Sequence, residues 1–350
     1  MSYIKSSFRH PNAKVNDLGF SKRDYEGALS TLCAGCGHDS ISAAIVQSFF
    51  EMNIEPHKVA KISGIGCSSK TPTYFLGKAH GFNSVHGRMP SVSTGANMAN
   101  KDLQYIGVSG DGDTASIGMG QFAHVVRRNL NMIYLVMNNG CYGLTKGQDS
   151  ATADIGSAGK KGVPNQFAAI DLCQLALQLG AGYVARSFSG DKKQLVPLIK
   201  GAIEHQGFAF IDVISPCVTF NNTPSSTKGY EYVRDHLDAT GTIDFVPERQ
   251  ELKIIHPEGT SKEIKLHDGS KLILKKNSHD YDLSSKREAM NTIETVREQH
   301  KILTGLIYLH EDPQDTHTKI NSVDKPLNSL SQAEVCPGSA VLDDLNAGFR

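Results

Sequence analysis

Acidic and amide side chains follow two apolar segments of the sequence, and their chemistry suits a divalent metal ion. Asp111 lies in the glycine-rich segment Gly110–Asp113 after the apolar run 103–109, and Asn139 follows the apolar run 132–137. Carboxylate and amide oxygens are ligands that Mg²⁺ prefers, and protein-bound Mg²⁺ commonly shares its shell with substrate phosphates. The glycines allow backbone N–H groups to approach a phosphate closely. The pattern therefore predicts a Mg²⁺-bridged diphosphate at these two segments.

Two other interpretations of the glycine segment remain open. The spacing Gly110-x-Gly112-x-x-Ala115 fits a loose dinucleotide-binding pattern. A nicotinamide or flavin dinucleotide is disfavoured because Asp111 would repel a pyrophosphate directly. In addition, Asn139 stands where an acidic residue would bind a ribose hydroxyl. The segment could also be an ordinary glycine turn with acidic residues at the surface.

The elements around these residues alternate between strand and helix. Short apolar runs bounded by turn residues are typical of buried parallel strands, and the segment 117–129 is long enough for a crossover helix. The alternation continues along the chain, with a helix predicted over 40–52 and strands over 59–62, 182–186 and 208–214. We therefore predict an α/β fold with one doubly wound, mostly parallel sheet. Ligands of such sheets bind at the carboxyl ends of the strands, where the polar residues are expected to meet.

Four of the seven cysteines are expected to meet at the same edge of the sheet. Cys33 and Cys36 form a C-x-x-C pair before the first helix, Cys67 follows the first predicted strand, and Cys217 follows the last. Four converging thiolates suit a [4Fe–4S] cluster, and a zinc site with four cysteines would use the same ligands. Buried structural thiols are a third possibility. Cys173 differs from these four, because it falls on a predicted helix and is expected in the core.

Composition and charge exclude several functional classes. The 350 residues carry 36 basic and 36 acidic side chains, and apolar residues make up 39% of the chain. There is no basic block and no apolar run near the roughly 20 residues of a spanning helix, so neither a nucleic acid nor a membrane is an expected partner. An odd cysteine count in a chain of this length favours reduced thiols and a cytoplasmic location.

Three regions are expected along the chain. Residues 1–27 should form an extended or mobile leader, and residues 28–218 the sheet domain with the metal and cysteine residues. Residues 219–350 should form an appended C-terminal extension that packs on a partner subunit. Within the extension, Asp268-Gly269 between two apolar runs predicts a hairpin. The long loop over 146–165, rich in Gly, Ser, Thr and Lys, is expected to cover a site.

As a set, the motifs resemble the β subunit of the 2-oxoacid:ferredoxin oxidoreductases over roughly residues 28–237. The similarity rests on six short segments: Cys33-x-x-Cys36-Gly-His38, Gly66-Cys67-Ser68-Ser69-Lys70, His86-Gly87-Arg88, Gly110-Asp111-Gly112-Asp113, Asn138-Asn139 with Tyr142 to Gln148, and Ser215 to Asn221. The last segment, together with Tyr232 to His236, is most similar to enzymes that act on 2-oxoglutarate. The resemblance implies the thiamine diphosphate-binding type of sheet, with thiamine diphosphate, Mg²⁺ and a [4Fe–4S] cluster as cofactors.

Residue roles follow from the resemblance, position by position. It implies that Asp111, Asn139 and the backbone carbonyl of Cys141 bind Mg²⁺. The residues expected to contact thiamine diphosphate are Ile65, Gly66, Cys67, Ser68, His86, Gly112, Asp113, Gly143 and Leu144. The residues expected to hold the cluster are Cys33, Cys36, Cys67 and Cys217.

The resemblance also implies an activity and partners. Such an enzyme oxidatively decarboxylates 2-oxoglutarate with coenzyme A to succinyl-CoA and CO₂, and passes electrons through the cluster to ferredoxin, or runs in reverse. Lys70, Arg88 and Lys146 are the cations expected near the substrate carboxylates, because a dicarboxylate needs more positive charge than pyruvate does. No segment resembles the domain that supplies the glutamate needed to activate thiamine. A separate α subunit is therefore expected to complete the site.

Three alternatives stay open at this point. A β subunit specific for pyruvate or another 2-oxoacid would carry the same motifs. A non-oxidative or flavin-linked thiamine enzyme would hold both cofactor halves in one chain and would have no use for four converging cysteines. A non-catalytic zinc-binding subunit would keep the cysteines but would not need the intact Asp111 and Asn139.

Overall fold

The computed structural model describes residues 10–160, 162–246, 261–265, 270–276, 281–311, 313–336 and 338–349. In chain order the strands are β1 (Val59–Ser63), β2 (His80–Asn83), β3 (Gln104–Gly110), β4 (Met132–Asn138), β5 (Cys141–Tyr142), β6 (Gln148–Asp149), β7 (Tyr183–Phe188), β8 (Phe208–Ile214), β9 (Leu237–Ala239), β10 (Gly241–Val246), β11 (Ser261–Lys265), β12 (Lys271–Lys276) and β13 (Ile302–Leu309). The α-helices are α1 (Gly37–Glu51), α2 (Met89–Ala99), α3 (Met119–Arg128), α4 (Leu172–Leu179), α5 (Lys192–Glu204), α6 (Tyr230–His236), α7 (Lys286–Glu298), α8 (Thr316–Lys319), α9 (Gln332–Val335) and α10 (Ser339–Ala347).

The central element is an eight-stranded sheet with the order β2-β1-β3-β4-β8-β7-β13-β9. The first six strands in this spatial order, β2, β1, β3, β4, β8 and β7, are parallel to one another. Strand β13 runs antiparallel to β7. Strands β4 and β8 pair along their whole length, from Met132 opposite Phe208 to Asn138 opposite Ile214. The predicted α/β fold with a mostly parallel sheet is confirmed. Because the parallel strands end at one edge, the loops after β1, β3, β4 and β8 lie at the same side of the molecule.

Helices cover both faces of the sheet, and the side-chain period of the strands explains how. Alternate residues of β4 belong to two apolar clusters: Ile133, Leu135 and Met137 pack with α1 and α5, whereas Tyr134 and Val136 pack with α2, α3, α4 and α7. All seven residues of β4 are buried. A strand that is buried on both faces reads as a continuous apolar run, which is why the sequence pattern revealed it.

The C-terminal region contributes directly to the central sheet. Strand β13 pairs with β7, and α7 packs its buried residues Ala289, Ile293 and Val296 in the core beneath β13. The expected boundary at residue 218 therefore does not separate the sheet from residues 219–350, because the buried apolar strand β13 completes the sheet. Elsewhere in this region, β11 and β12 pair antiparallel as the hairpin pattern predicts, although the turn at 266–269 lies outside the described residues. Packing of the remaining extension on a partner subunit stays a prediction.

The described part of the leader is packed against the domain. Tyr25 is fully buried, its ring contacts Phe20 and Phe50 edge-on, and the backbone N–H of Leu76 donates to its carbonyl. The segment around Tyr25 is therefore packed rather than mobile, because this large ring is anchored against α1. Residues 1–9 lie outside the described part of the chain. Among the described residues, no helix is long and apolar enough to cross a membrane.

Candidate active site

Asp111 follows strand β3 and is buried at the carboxyl edge of the sheet. Its side chain, 2% exposed, accepts hydrogen bonds from the hydroxyls of Ser150 and Thr152, the latter at 2.8 Å, and from the backbone N–H of Asn139 at 3.3 Å. Burial raises the pKa of the Asp111 carboxyl group, and the hydroxyl and amide donors oppose that effect. A buried carboxylate held ionised by several donors is a favourable position for a positive ion.

Asn139 follows directly after strand β4 and lies next to Asp111, and hydrogen bonds link it to the neighbouring loops. Its side-chain Oδ1 accepts from the backbone N–H of Cys141 at 3.1 Å, and its carbonyl accepts from Asn221 Nδ2 at 2.8 Å. The turn that carries the Asn139 amide is therefore linked to the loop after β8. The carboxylate of Asp111, the side-chain amide of Asn139 and the turn that contains the Cys141 carbonyl thus lie together. Oxygen donors of these types are the ones that Mg²⁺ takes.

Asp113 joins three loops around the start of a π-helical segment, Asp113–Ile117. Its carboxylate accepts from the backbone N–H of Gly87 at 2.8 Å and from Ser109 Oγ at 3.0 Å. Burial raises its pKa, and these donors oppose the effect. At Gly64 an added Cβ would overlap the Asp113 carboxylate, so only glycine fits there. The side chain of Asp113 therefore holds these loops together, and its backbone N–H is the group predicted to contact the diphosphate.

These groups face one cavity, which we call the edge cavity. It is lined by all twelve residues predicted to contact Mg²⁺ or thiamine diphosphate, namely Ile65, Gly66, Cys67, Ser68, His86, Asp111, Gly112, Asp113, Asn139, Cys141, Gly143 and Leu144. Six residues to which the sequence assigned no contact complete its wall: His38, Gly110, Ile117, Met137, Tyr142 and Thr145. The ring of Tyr142 lies directly over Gly112, and an added Cβ there would lie 2.7 Å from Tyr142 Cζ.

The three cations predicted near the substrate do not line the edge cavity. Lys70, Arg88 and Lys146 are all exposed. The guanidinium of Arg88 donates to Gln121 Oε1 at 3.2 Å, which holds it over the first turns of α3. Lys146 adopts a left-handed backbone conformation with φ of 78°. The structure therefore places these residues outside the cavity, and their contact with a substrate stays a prediction.

The predicted cluster cysteines lie beside the edge cavity. Cys36 caps the N-terminus of α1, and Cys67 precedes the 3₁₀ turn Ser68–Thr73 after β1. An added Cβ on Gly143 would lie 3.6 Å from Cys67 Sγ and 3.7 Å from Cys217 Sγ, so these two sulfurs flank one glycine. Burial raises the pKa of the Cys36 thiol to about 12, and the nearby Cys217 and Cys67 add to that effect.

Cys217 is the thiol best prepared to carry negative charge. A hydrogen bond from Cys141 lowers its pKa to about 6, and the backbone N–H groups of Thr219, Phe220 and Asn221 act in the same direction against burial. Amide donors aimed at a cysteine sulfur are the arrangement that stabilises metal-bound thiolates. The pKa of Cys141 is raised, first by the same hydrogen bond to Cys217 and then by burial.

The other two cysteines are placed differently. Cys173 is buried in the core on α4, as predicted, and Cys336 is exposed. Within the part of the chain that the structure describes, no three Cys, His, Asp or Glu side chains stand in an arrangement that would hold a single metal ion.

Two hydroxyl residues of the site escaped the sequence analysis. Ser150 and Thr152 lie in the loop that was expected to cover a site, yet nothing in their spacing shows that they turn inward to Asp111. A loop path depends on tertiary contacts, so the only available signal was the loop's unusual length. The expectation that this loop covers a site agrees with its contact to Asp111.

Comparison with known proteins assigns the region around the edge cavity to a family. A family model described as "Thiamine pyrophosphate enzyme, C-terminal TPP binding domain" matches residues 64–213. The 2-oxoacid:ferredoxin oxidoreductase subunit beta of Saccharolobus solfataricus is 42% identical over 200 residues, which are 57% of this chain and 65% of that protein. The 2-oxoglutarate synthase subunit KorB of Methanothermobacter marburgensis is 32% identical over 251 residues, which are 70% of this chain and 87% of that protein.

A solved structure is similar over nearly the whole chain. The 2-oxoglutarate:ferredoxin oxidoreductase of Magnetococcus marinus, solved with 2-oxoglutarate, coenzyme A and succinyl-CoA bound, aligns with a TM-score of 0.72 at 30% identity. The alignment covers 95% of this chain and 97% of that chain. The present chain spans slightly less than two thirds of the S. solfataricus relative. On the strength of the M. marburgensis and M. marinus similarities, this chain belongs to the β subunits of the 2-oxoacid:ferredoxin oxidoreductases.

Proposed function

We propose that this chain is the β subunit of an enzyme that converts 2-oxoglutarate, coenzyme A and two oxidised ferredoxins to succinyl-CoA, CO₂, a proton and two reduced ferredoxins. The reverse reaction, reductive carboxylation, would use the same residues. Support for the substrate comes from the M. marburgensis relative, named as a 2-oxoglutarate synthase subunit, and from the M. marinus structure with 2-oxoglutarate bound. A β subunit that acts on pyruvate or another 2-oxoacid is the alternative.

The observation that carries the proposal is the shared position of two kinds of donor. Oxygen donors from Asp111 and Asn139 and the sulfur of Cys67 line one cavity, and Gly143 of the same cavity lies between Cys67 and Cys217. An enzyme that removes electrons from a substrate one at a time needs its electron acceptor beside the reacting carbon. A single sheet edge that presents both donor sets meets this requirement.

In this proposal the chain's residues hold the diphosphate end of thiamine diphosphate. Asp111, Asn139 and the carbonyl of Cys141 would bind Mg²⁺, and the backbone N–H groups of Gly112 and Asp113 would face the phosphates. When bound, thiamine diphosphate supplies the electron sink for cleavage next to the ketone. Ile65, Gly66, Ser68, His86 and Leu144 are proposed to complete the contacts to the cofactor.

The cysteines would hold the cluster through which electrons leave the active site. We assign Cys33, Cys36, Cys67 and Cys217 as ligands of a [4Fe–4S] cluster, from which ferredoxin takes electrons. The amide donors around Cys217 support this assignment, because hydrogen bonds to ligand sulfurs stabilise the thiolate form. The neighbouring Gly143 leaves room between Cys67 and Cys217 that a side chain would fill.

A partner α subunit is proposed to complete the site. It would supply the glutamate that activates the aminopyrimidine ring and would cover the open side of the edge cavity, where Leu144 is 59% exposed. Lys70, Arg88 and Lys146 are exposed, and they are proposed to meet the substrate carboxylates only in the assembled enzyme.

Metal analysis and electron paramagnetic resonance (EPR) of the anaerobically purified chain, co-expressed with its α subunit, test the cofactor assignment. We expect about four irons per β chain, and a reduced-cluster signal that appears after 2-oxoglutarate and coenzyme A are added. Zinc without iron would contradict the electron-transfer proposal and favour a zinc-binding subunit.

Viologen-dye reduction by the same complex tests the reaction. We expect coenzyme A-dependent activity with 2-oxoglutarate, and activity with pyruvate alone would overturn the substrate assignment. Asp111→Asn should abolish dye reduction while the cluster content stays unchanged. The exposed Asp102→Asn is the matched control and should behave as the unaltered chain.

A further inference from the structure

The carboxylate of Asp111 is held by two hydroxyl groups from the loop that follows β6. Ser150 Oγ donates to Asp111 Oδ2, Thr152 Oγ1 donates to the same oxygen at 2.8 Å, and the two hydroxyl oxygens lie 3.0 Å apart. Asp111 Oδ1 accepts from the backbone N–H of Asn139 at 3.3 Å. A carboxylate oxygen offers two acceptor sites, so Oδ2 is saturated and Oδ1 keeps acceptor capacity for a cation.

Thr152 connects this pair to a second set of buried groups. Its hydroxyl oxygen also lies 3.0 Å from Asn138 Oδ1, so its single proton is shared between two acceptors, Asp111 Oδ2 and Asn138 Oδ1. Asn138 Nδ2 donates to Asp212 Oδ1 at 3.1 Å. Arg186 Nε donates to Asp212 Oδ2 at 3.0 Å, and Arg186 Nη2 donates to Asp171 Oδ1 at 2.7 Å. An unbroken series of contacts therefore runs from Asp111 to Arg186; we call it the Arg186 relay.

The far end of the Arg186 relay is a rigid anchor. The side chain of Arg186 is 9% exposed and lies between two carboxylates. Asp171 is the N-cap residue of α4, and Asp212 lies on the adjacent strand β8. A guanidinium is planar and permanently charged, so its two donors fix both carboxylates in one geometry. Breaking such a buried pair leaves an uncompensated charge, which is strongly unfavourable.

We propose that Ser150 and Thr152 are positioning residues for the Asp111 carboxylate, and that Arg186 fixes them through Asp212 and Asn138 so that Asp111 Oδ1 faces the divalent metal. The inference rests on the metal site proposed above. It concerns residues outside the set proposed to bind the metal and the diphosphate. Groups that orient a metal ligand typically change metal affinity by about 10–100-fold when they are removed.

A simpler role for the two hydroxyls would be to hold their loop against the domain. That role predicts lower thermal stability without a change in metal affinity. The hydroxyl of Thr223 provides a matched control, because it donates to the carbonyl of Ala158 at 2.8 Å and has no contact with the Arg186 relay.

The test measures Mn²⁺ binding to the complete α–β complex in the presence of thiamine diphosphate, from the EPR signal of free Mn²⁺ at room temperature. Thr152→Val keeps the shape of the side chain and removes the hydroxyl, and we expect its Mn²⁺ affinity to fall by about 10-fold or more. Thr152→Ser restores the hydroxyl and should return the affinity to within about two-fold of the unaltered complex. Thr223→Val should leave it unchanged.

Two further variants test the connection to Arg186. Asn138→Ala should weaken Mn²⁺ binding, and the double variant Asn138→Ala/Thr152→Val should be no weaker than the more affected single variant, because both act on one series of contacts. Arg186→Lys, which keeps the charge but not the two-pronged geometry, should also lower the affinity.

Each outcome decides a distinct point. Unchanged Mn²⁺ affinity in Thr152→Val, with tight binding by the unaltered complex, would refute the positioning role alone. Fully additive losses of affinity in the double variant would show that Asn138 and Arg186 take no part in positioning Asp111. Failure of the unaltered complex to bind Mn²⁺ with thiamine diphosphate would overturn the metal site, and this inference with it.

Discussion

Gly112 offers a sharp test of the edge cavity, because its role is steric and can be worked out from the structure. Its backbone conformation, with φ of −66° and ψ of −38°, is one that alanine adopts without strain. An added Cβ would nevertheless lie 2.7 Å from Tyr142 Cζ and 2.9 Å from Tyr142 Cδ1. The nearest ring atom, Cε1, would be closer still, so Gly112→Ala must push the Tyr142 ring aside by about 1 Å to reach ordinary contact.

Overpacking of this kind costs about 1–3 kcal/mol. Because Gly112 and Tyr142 both line the edge cavity, we expect the cost to fall on cofactor binding. A loss of 1–3 kcal/mol corresponds to a dissociation constant for thiamine diphosphate that is about 5–150-fold higher. Isothermal titration of the cofactor-free complex with thiamine diphosphate and Mg²⁺ measures this constant directly.

Two controls make the result specific. Gly120→Ala lies on α3 with no atom within 4 Å of the added Cβ, so cofactor affinity should stay unchanged. Removing the ring in Gly112→Ala/Tyr142→Ala should restore most of the lost affinity. Unchanged affinity in Gly112→Ala, or an equal loss in Gly120→Ala, would refute the steric argument.

Three further predictions follow from other parts of the structure. Cys217→Ser should lower the iron content and abolish dye reduction, whereas the exposed Cys336→Ser should change neither; full activity in Cys217→Ser would exclude it as a ligand. Arg186→Met should lower the free energy of unfolding by about 3–5 kcal/mol, seen as a lower Tm. Burial alone would raise the pKa of Asp171, but Arg186 holds it below its usual value. The stability from this pair is thus complete above the unfolded pKa near 4 and lost as the pH falls, so the difference in Tm between Arg186→Met and the unaltered chain should shrink in acid. Lys61→Met leaves three buried backbone carbonyls without their donor and should cost about 3 kcal/mol or more; a Tm shift below about 2 °C would contradict this.

The parts of the fold that could be predicted are those in which burial leaves a sequence pattern. Strands β3, β4 and β8 are buried on both faces and therefore appear as short apolar runs. Strand β2 (HGFN) is exposed at the sheet edge and has no such pattern. Strand β13 is apolar and buried, but its antiparallel pairing with β7 joins distant parts of the chain, and local pattern carries no information about that choice of partner.

Some residues of the candidate site could likewise be predicted from the sequence, and others could not. Asp111, Asn139 and Cys67 were predictable because their types and their positions after strands place them at one sheet edge. Thr152 was not, since its role depends on the path of a long loop. Arg186 lies inside a strand, where a charged residue gives no hint of which carboxylates will pair with it.

The antiparallel strand β13 has a consequence for how this chain is made. Strand β7 ends at Phe188, and its partner begins at Ile302, roughly 110 residues later. At a synthesis rate of 5–20 residues per second, β7 waits on the order of 10 seconds with one row of backbone N–H and C=O groups unpaired. An uncovered strand edge is a template for pairing with other chains. The nascent sheet is therefore most vulnerable to aggregation in that interval, and a fragment ending near residue 218 would carry the bare edge permanently.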